Sequence, residues 1–423
     1  VGSEMCIRDR FYPEQEPESI VSVEGEKIFI KHRGYEFNES IEFDAEVWDK
    51  TAAPENCFIW GSDTEGEEGY NIIIGYTEEL ESYTKVRIPS RCKRIVCWDD
   101  SGKNEANGRA FFSNVQKVEI PNTVTEIEEY AFMGCSKLKG TLTVPGSIKK
   151  ISEHAFERCT SEIPLVLEEG IESIEACAFS NSHFIGNLTM PNSVTRINRE
   201  AFINCDKFNG KLNLGKVEYI ATGAFTNCSG FTGDLVIPEE LSSIYQSTFQ
   251  NCTGFDGKLY VGQKGISIDY YAFLNCIKIK EIVGKISSLG EGAFANCISL
   301  INTGDYEGSG YASCAYYGRK NLKYINVKEM RGMYSGFDRA TSLEEVKIKE
   351  GVTSLCSGIF ARCTSLKTVY IPSTVTNINE NAFYGSDNIE NIYVAQEKAK
   401  VNFDEILSCL LYTSPSPRDG ATS

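Results

Sequence analysis

The pattern Ala-Phe-x-x-Cys, or a close variant of it, returns every 21 to 24 residues from Ala131 to near the end of this 423-residue chain. Its aromatic falls at Phe132, Phe156, Phe179, Phe202, Phe225, Phe249, Phe273, Phe294, Tyr316, Phe337, Phe360 and Phe383, and a distorted unit precedes them near residues 86–112. A fixed period of this length means that each unit is a small structural element unable to bury its apolar face alone. The units must therefore stack, and like side chains must lie on like.

The unit from Val118 shows how one coil is built. Val118 and Ile120 alternate with polar neighbours as a half-buried strand does, and Pro121 ends the strand by removing a ladder donor. Asn122-Thr123 supplies turn chemistry, after which Val124, Ile127, Ala131 and Phe132 fall at spacings that suit an irregular or single-turn helical return path. Leu138 and Leu142 lead into the next strand. Stacked coils would give a parallel sheet with strands about 4.8 Å apart, roughly 50–60 Å long over the whole array.

The same frame recurs as Leu188-Thr-Met-Pro-Asn-Ser-Val-Thr-Arg-Ile, Leu235-Val-Ile-Pro-Glu-Glu-Leu-Ser-Ser-Ile and Val369-Tyr-Ile-Pro-Ser-Thr-Val-Thr-Asn-Ile. Joined to Ala-Phe-x-x-Cys-x-x-Phe/Leu-x-Gly, it resembles the BspA-like, or treponemal-type, leucine-rich repeat. The expected fold is a leucine-rich-repeat solenoid of about 11–12 repeats of 21–24 residues. It would carry a parallel β-sheet on one face, with short helical turns and irregular return segments, after a β-rich acidic N-terminal segment. The resemblance further implies an extracellular or cell-surface protein used in adhesion and protein binding.

Residues 1–10 and 409–423 match neither the repeat nor its flanks; they resemble translated sequencing-adapter text and are set aside as artefacts. The remainder divides into an acidic β-rich module or cap at 11–85, the solenoid at 86–394 and the end of the array at 395–408. Of the net charge of −17, most sits in residues 11–85, which hold 19 Asp or Glu against 5 Lys or Arg. All three tryptophans, Trp48, Trp60 and Trp98, also precede the clear repeats. So negative a surface disfavours nucleic acid and anionic membranes as partners, and no apolar run approaches the roughly 18 residues that span a bilayer.

Eight of the 16 cysteines occupy the repeat slot: Cys135, Cys159, Cys205, Cys228, Cys252, Cys276, Cys297 and Cys363. Ser182, Arg319, Ala340 and Ser386 replace them elsewhere, so the slot reads as a small buried filler, part of a structural core shared with the aromatics above. Parallel Cβ atoms are poor geometry for disulfides within the column. Outlying Cys92 with Cys97, or Cys356 with Cys363, remain the alternatives. His32, His154 and His183 fall at no metal-ligand spacing, and no nucleophile elbow, phosphate loop or dinucleotide fingerprint is present. The expectation is a non-enzymatic chain without cofactor or metal. Asn227-Cys-Ser, Asn251-Cys-Thr, Asn187-Leu-Thr and Asn38-Glu-Ser match glycosylation acceptors. The slot before Cys also holds Asn204, Asn275 and Asn296, so turn hydrogen bonding explains the first two better.

Outward-facing strand positions run through Glu119, Thr143, Thr189, Asn213, Val236, Tyr260, Val283, Asn326, Lys347 and Tyr370. Tyr260, Tyr370, Glu119 and Lys347 on that face are the candidate contacts for a protein partner, or for a glycan, because rigid amphipathic rings suit interfaces. Ordinary cross-strand packing is the plainer account of any one of them. Between residues 301 and 340 the motif decays while tyrosines gather, among them Tyr306, Tyr311 and Tyr317. This is either a divergent junction, the favoured reading, or a recognition ledge. The functional expectation is a binding scaffold that recognises a protein through its sheet face. A glycan-binding module, or a spacer for a catalytic domain outside this sequence, is the alternative.

Overall fold

The computed structural model describes residues 19–24, 27–32, 41–42, 53, 57–61, 72–76, 83–96, 115–302, 304–306, 313–318, 335–348 and 350–395. The chain forms two compact units, Val1–Ala52 and Ala53–Ser423. In the first, the strands Ser19–Glu24, Lys27–His32 and Ile41–Glu42 make an antiparallel sheet, with Val21 opposite Ile30 and Ile28 opposite Ile41.

The second unit is a parallel β-solenoid. One ladder, the proline-ended ladder, has strands that run into proline at Pro145, Pro191 and Pro372 and into other turns in the coils between, and it pairs Leu142–Val144 on Leu165–Leu167, Leu188–Thr189 on Leu212–Asn213, and Glu345–Lys347 on Thr368–Ile371 on Asn391–Val394. Alternation places Leu142 and Val144 inside and Thr143 at the surface, as a half-buried strand requires. Proline then opens a tight turn in which its carbonyl accepts the amide three residues on: Val124 N donates to Pro121 O at 3.0 Å, Ile148 N to Pro145 O at 3.1 Å and Val194 N to Pro191 O at 3.1 Å.

The return path is irregular, and the short helical turns also expected there are not found: among the described residues it contains no α-helix. Ile127, Ile151, Ile174, Ile197 and Ile220 each sit in a two-residue strand, and these strands pair in parallel and in register as a second ladder. That ladder extends into residues 53–85, where Ile72–Tyr76 pairs in parallel with Arg94–Ile95 and Phe58–Gly61 pairs antiparallel with Ile72–Tyr76. A helix is prevented because the residue before each Ala-Phe adopts the left-handed conformation: φ is 63° at Tyr130, 55° at His154, 53° at Cys177 and 55° at Glu200. One such residue per coil breaks a right-handed helix before its first turn closes.

The aromatic column is as the period demands. All twelve rings from Phe132 to Phe383 stack in sequence, with neighbouring centroids 5.0–5.6 Å apart and planes within 15°. Near-parallel planes at that separation are offset stacks, which the ring quadrupole favours over a face-to-face sandwich. In mid-array a second column, Phe184, Phe208, Phe231 and Phe255, lies alongside, and Phe184 and Phe255 pack edge-on against Phe179 and Phe249.

The buried backbone beneath these rings is bonded between coils. Phe156 N donates to Ala178 O, Phe179 N to Ala201 O and Phe202 N to Ala224 O, each at 2.8 Å. The carbonyl of each Phe is served by the next coil's cysteine: Cys205 Sγ donates to Phe179 O at 3.0 Å, Cys228 to Phe202 at 3.0 Å and Cys252 to Phe225 at 3.1 Å. Where serine replaces cysteine the bond persists, Ser182 Oγ to Phe156 O at 2.9 Å and Ser386 Oγ to Phe360 O at 2.7 Å. The slot therefore holds a small hydrogen-bond donor as well as a filler. Accordingly, Cys228→Ser should stay within about 1 kcal/mol of wild type, whereas Cys228→Ala, which strands the Phe202 carbonyl, should cost about 1–3 kcal/mol. Urea unfolding of the two variants side by side checks this; equal losses would show that filling alone matters.

Candidate interaction surface

On the outer side of the proline-ended ladder, in-register pairing gathers apolar side chains that face solvent. Val236 lies opposite Tyr260, and Tyr260 opposite Val283. Beneath them Leu235, Leu259 and Ile282 are buried, while Val236 remains 56% exposed. Three coils of alternating sequence thus put a tyrosine between two valines on the outer face.

A second patch lies at the far end of this ladder. Lys347, Tyr370 and Tyr393 are partners across three strands. The two tyrosine rings stack at 4.9 Å and 13°, and the Lys347 ammonium sits 5.1 Å over the Tyr370 ring. Lys347 also pairs with Glu345 at 2.8 Å, and Tyr393 is 53% exposed. Tyr393 was not singled out from the sequence, although Asn391-Ile-Tyr-Val repeats the frame of Thr368-Val-Tyr-Ile one period later.

The other candidate positions fall elsewhere. Glu119 lies on the same ladder but is held by Arg87 at 2.7 Å and Lys117 at 3.3 Å. Partial burial pushes its carboxyl up, yet the hydrogen bond and charge of Arg87, followed by Lys117, outweigh this and leave it below the usual carboxylate range. Tyr306 lies in the strand Asp305–Tyr306, which pairs with Lys285–Leu289 and so belongs to the second ladder. Tyr317 is in a turn segment, with the Arg339 guanidinium 5.9 Å from its ring. Tyr311, Asn326, Cys97 and Asn38 lie outside the described residues.

A third feature runs along the turn that precedes the cysteine slot. Asn181, Asn204, Asn227, Asn251, Asn275 and Asn296 all have φ between 57° and 64°, a conformation asparagine tolerates better than most residues. Their side-chain amides form a continuous ladder in which each Nδ2 donates to the Oδ1 of the preceding coil, at 2.8, 2.6, 2.7, 2.7 and 3.0 Å in order. The amide nitrogens of Asn227 and Asn251, two of the four formal glycosylation acceptors, are thus engaged in structure. Asn187 likewise accepts the Lys211 amide at 2.8 Å.

His154 and Cys177 are held in structural contacts. His154 stacks on Tyr130 at 4.8 Å and bonds Glu157 through Nδ1 at 2.6 Å. Cys177 lies one coil further on, where burial and the charges of Glu200 and Glu157 push its thiol up to about 11, far from a nucleophilic thiolate at neutral pH. Among the described residues no group of three or more His, Cys, Asp or Glu could hold a metal ion, and no helix is long and apolar enough to cross a membrane.

With two parallel ladders, one aromatic column and one donor slot repeated per coil, the architecture is that of a leucine-rich-repeat solenoid. The family profile described as the BspA type leucine rich repeat region (6 copies) matches residues 107–232, 218–331 and 333–409, and the chain belongs to that family. Solved structures similar to it include a leucine rich cell surface protein from Faecalibacterium prausnitzii A2-165, at 19% identity and TM-score 0.32, over 95% of this chain and 99% of that one. Another is a leucine-rich repeat protein from Bacteroides ovatus ATCC 8483, at 17% identity and TM-score 0.49, over 91% and 100%. A third is the T. pallidum leucine rich repeat protein, at 21% identity and TM-score 0.35, over 59% and 90%. Among curated proteins none matches the chain.

Proposed function

We propose that this chain is a non-enzymatic binding scaffold, displayed at a cell surface or secreted, that recognises a protein partner through the outer face of the proline-ended ladder. The carrying observation is that this face sets exposed Val236 beside half-buried Tyr260 and Val283 in one row, and exposed Tyr393 against half-buried Tyr370 in another, above strands whose inner residues are buried or partly buried. Aromatic and apolar groups on a rigid backbone lose little conformational entropy on contact, which is the property hot-spot residues share. The cell-surface or secreted setting rests on membership of the repeat family rather than on any residue.

The test is binding of the purified protein to immobilised extracellular-matrix proteins, with Tyr260→Ala and Tyr370→Ala compared against wild type. Loss of a central aromatic anchor worth about 2 kcal/mol should weaken a captured partner roughly 30-fold, with the melting temperature nearly unchanged. Undiminished binding by the double variant would reject the sheet face as the contact surface.

A further inference from the structure

Beside the asparagine ladder the surface sinks into an open groove of about 680 Å³ that crosses five coils, from Asn181 to Asn275. Its second wall is formed two residues further along each coil by His183, Asp206, Ser229 and Thr253. No phenylalanine, tyrosine, tryptophan, aliphatic, lysine or arginine side chain lines it. We propose that this groove is a binding site for a neutral, linear, equatorially linked polysaccharide lying along the solenoid axis, one sugar per coil.

The inference begins with the amides. An asparagine side chain offers two donor hydrogens and two acceptor lone pairs, and the ladder uses one of each. Every coil therefore retains one further N–H and one further lone pair, Asn181 spending its first donor on Ser180 Oγ at 3.1 Å, and the amides are held rigid by their neighbours at the strand spacing of about 4.8 Å. A sugar's adjacent hydroxyls are themselves donor and acceptor, so an amide pairs with them in the way it pairs with the next amide. In an extended chain joined through equatorial positions, each sugar advances by close to one coil spacing, so successive residues of such a polymer meet successive amides.

Other ligand classes fit less well. A peptide strand repeats at about 6.8 Å for each two residues and would fall out of step with the coils at once. The lining carries one carboxylate, Asp206, with Lys207 Nζ at 3.6 Å and His183 Nε2 at 4.0 Å, and no lysine or arginine lines the groove itself, so little in it recompenses a polyanion for desolvation. An apolar chain or lipid tail would strand the amides without partners. This site is separate from the tyrosine-bearing sheet face, and its fate is independent of the protein-binding reading.

The experiment is native gel electrophoresis of the full chain through gels containing hydroxyethyl cellulose, barley mixed-linkage glucan or konjac glucomannan, followed by calorimetry with linear oligosaccharides of increasing length. Retardation by at least one neutral polymer is expected, with affinity rising for each added sugar up to about five, the number of coils in the groove, and flat beyond. Ser229→Trp, whose indole would block the groove midway without removing a ladder amide, should weaken binding at least tenfold, and Thr253→Trp should do the same. Tyr260→Ala should leave it unchanged. Circular dichroism establishes that each variant is folded, and the two blocking positions guard against one of them disturbing its coil. Absence of retardation by all three polymers, preference for polygalacturonate, or affinity indifferent to both tryptophan substitutions would each overturn the proposal.

Discussion

Replacing Phe225 by Ala should destabilise the solenoid by about 3–5 kcal/mol, because the ring is fully buried and its removal adds a cavity penalty to the lost transfer energy of roughly 1.5–3 kcal/mol. Both neighbours in the column lose a stacking partner, Phe202 at 5.3 Å and Phe249 at 5.5 Å. The site cannot readily collapse, since ladder hydrogen bonds fix the spacing of the coils on either side. In a one-dimensional array, weakening one interface should also uncouple the segments that flank it. We therefore expect the urea transition to move to lower midpoint and to broaden or split into two steps. Hydrogen exchange should locate the earliest opening near residues 219–250. Phe383→Ala removes a ring with one stacked neighbour among the described residues, so its loss should be smaller. A Phe225→Ala protein that melts like wild type would mean that the column does not hold the coils together.

That column was readable because it depends only on period. Any stack of 21–24-residue units puts Phe132 on Phe156 whatever the path between them. The path was harder to read. Val124, Ile127 and Ala131 are spaced as a helical turn would space them, and the left-handed residue that forbids the helix is Tyr, His, Cys or Glu in successive coils, residue types that carry no turn signal. A two-residue strand such as Lys150–Ile151 is also too short to show alternation. The second ladder therefore emerges only when coils are placed side by side, and with it the assignment of Tyr306 to a different sheet from Tyr260. The cysteine slot was half-legible: exchange with Ser182 and Ser386 fits a donor, exchange with Ala340 fits a filler, and only the 3.0 Å contact to the Phe carbonyl separates the two. The outward position of Tyr260 and Tyr370 followed from simple alternation. Their partners Val236, Val283, Lys347 and Tyr393 needed the register.

The donor slot makes a second large effect, in alkali. Burial pushes the thiols of Cys205 and Cys363 up to about 12, and burial likewise drives those of Cys228, Cys252 and Cys276 well above the ordinary thiol range. In the unfolded chain the same groups ionise near about 8.5. Between those limits the folded state binds more protons than the unfolded state, so stability is fully present below about pH 8.5 and falls as pH rises toward 12. Each thiol should remove about 1.4 kcal/mol per pH unit once the unfolded form is ionised, and three together about 4 kcal/mol per unit. Urea midpoints measured under reductant at pH 7.5, 9 and 10 should therefore drop steeply over the last interval. Tyrosines titrate in the same range, so the informative comparison is with Cys205→Ser, Cys228→Ser and Cys252→Ser combined. A serine hydroxyl does not ionise there and can donate the same bond to the Phe carbonyl, as Ser182 does. The triple variant should match wild type near neutrality and lose markedly less at pH 10; parallel declines in the two proteins would show that the thiol column does not govern the alkaline limit.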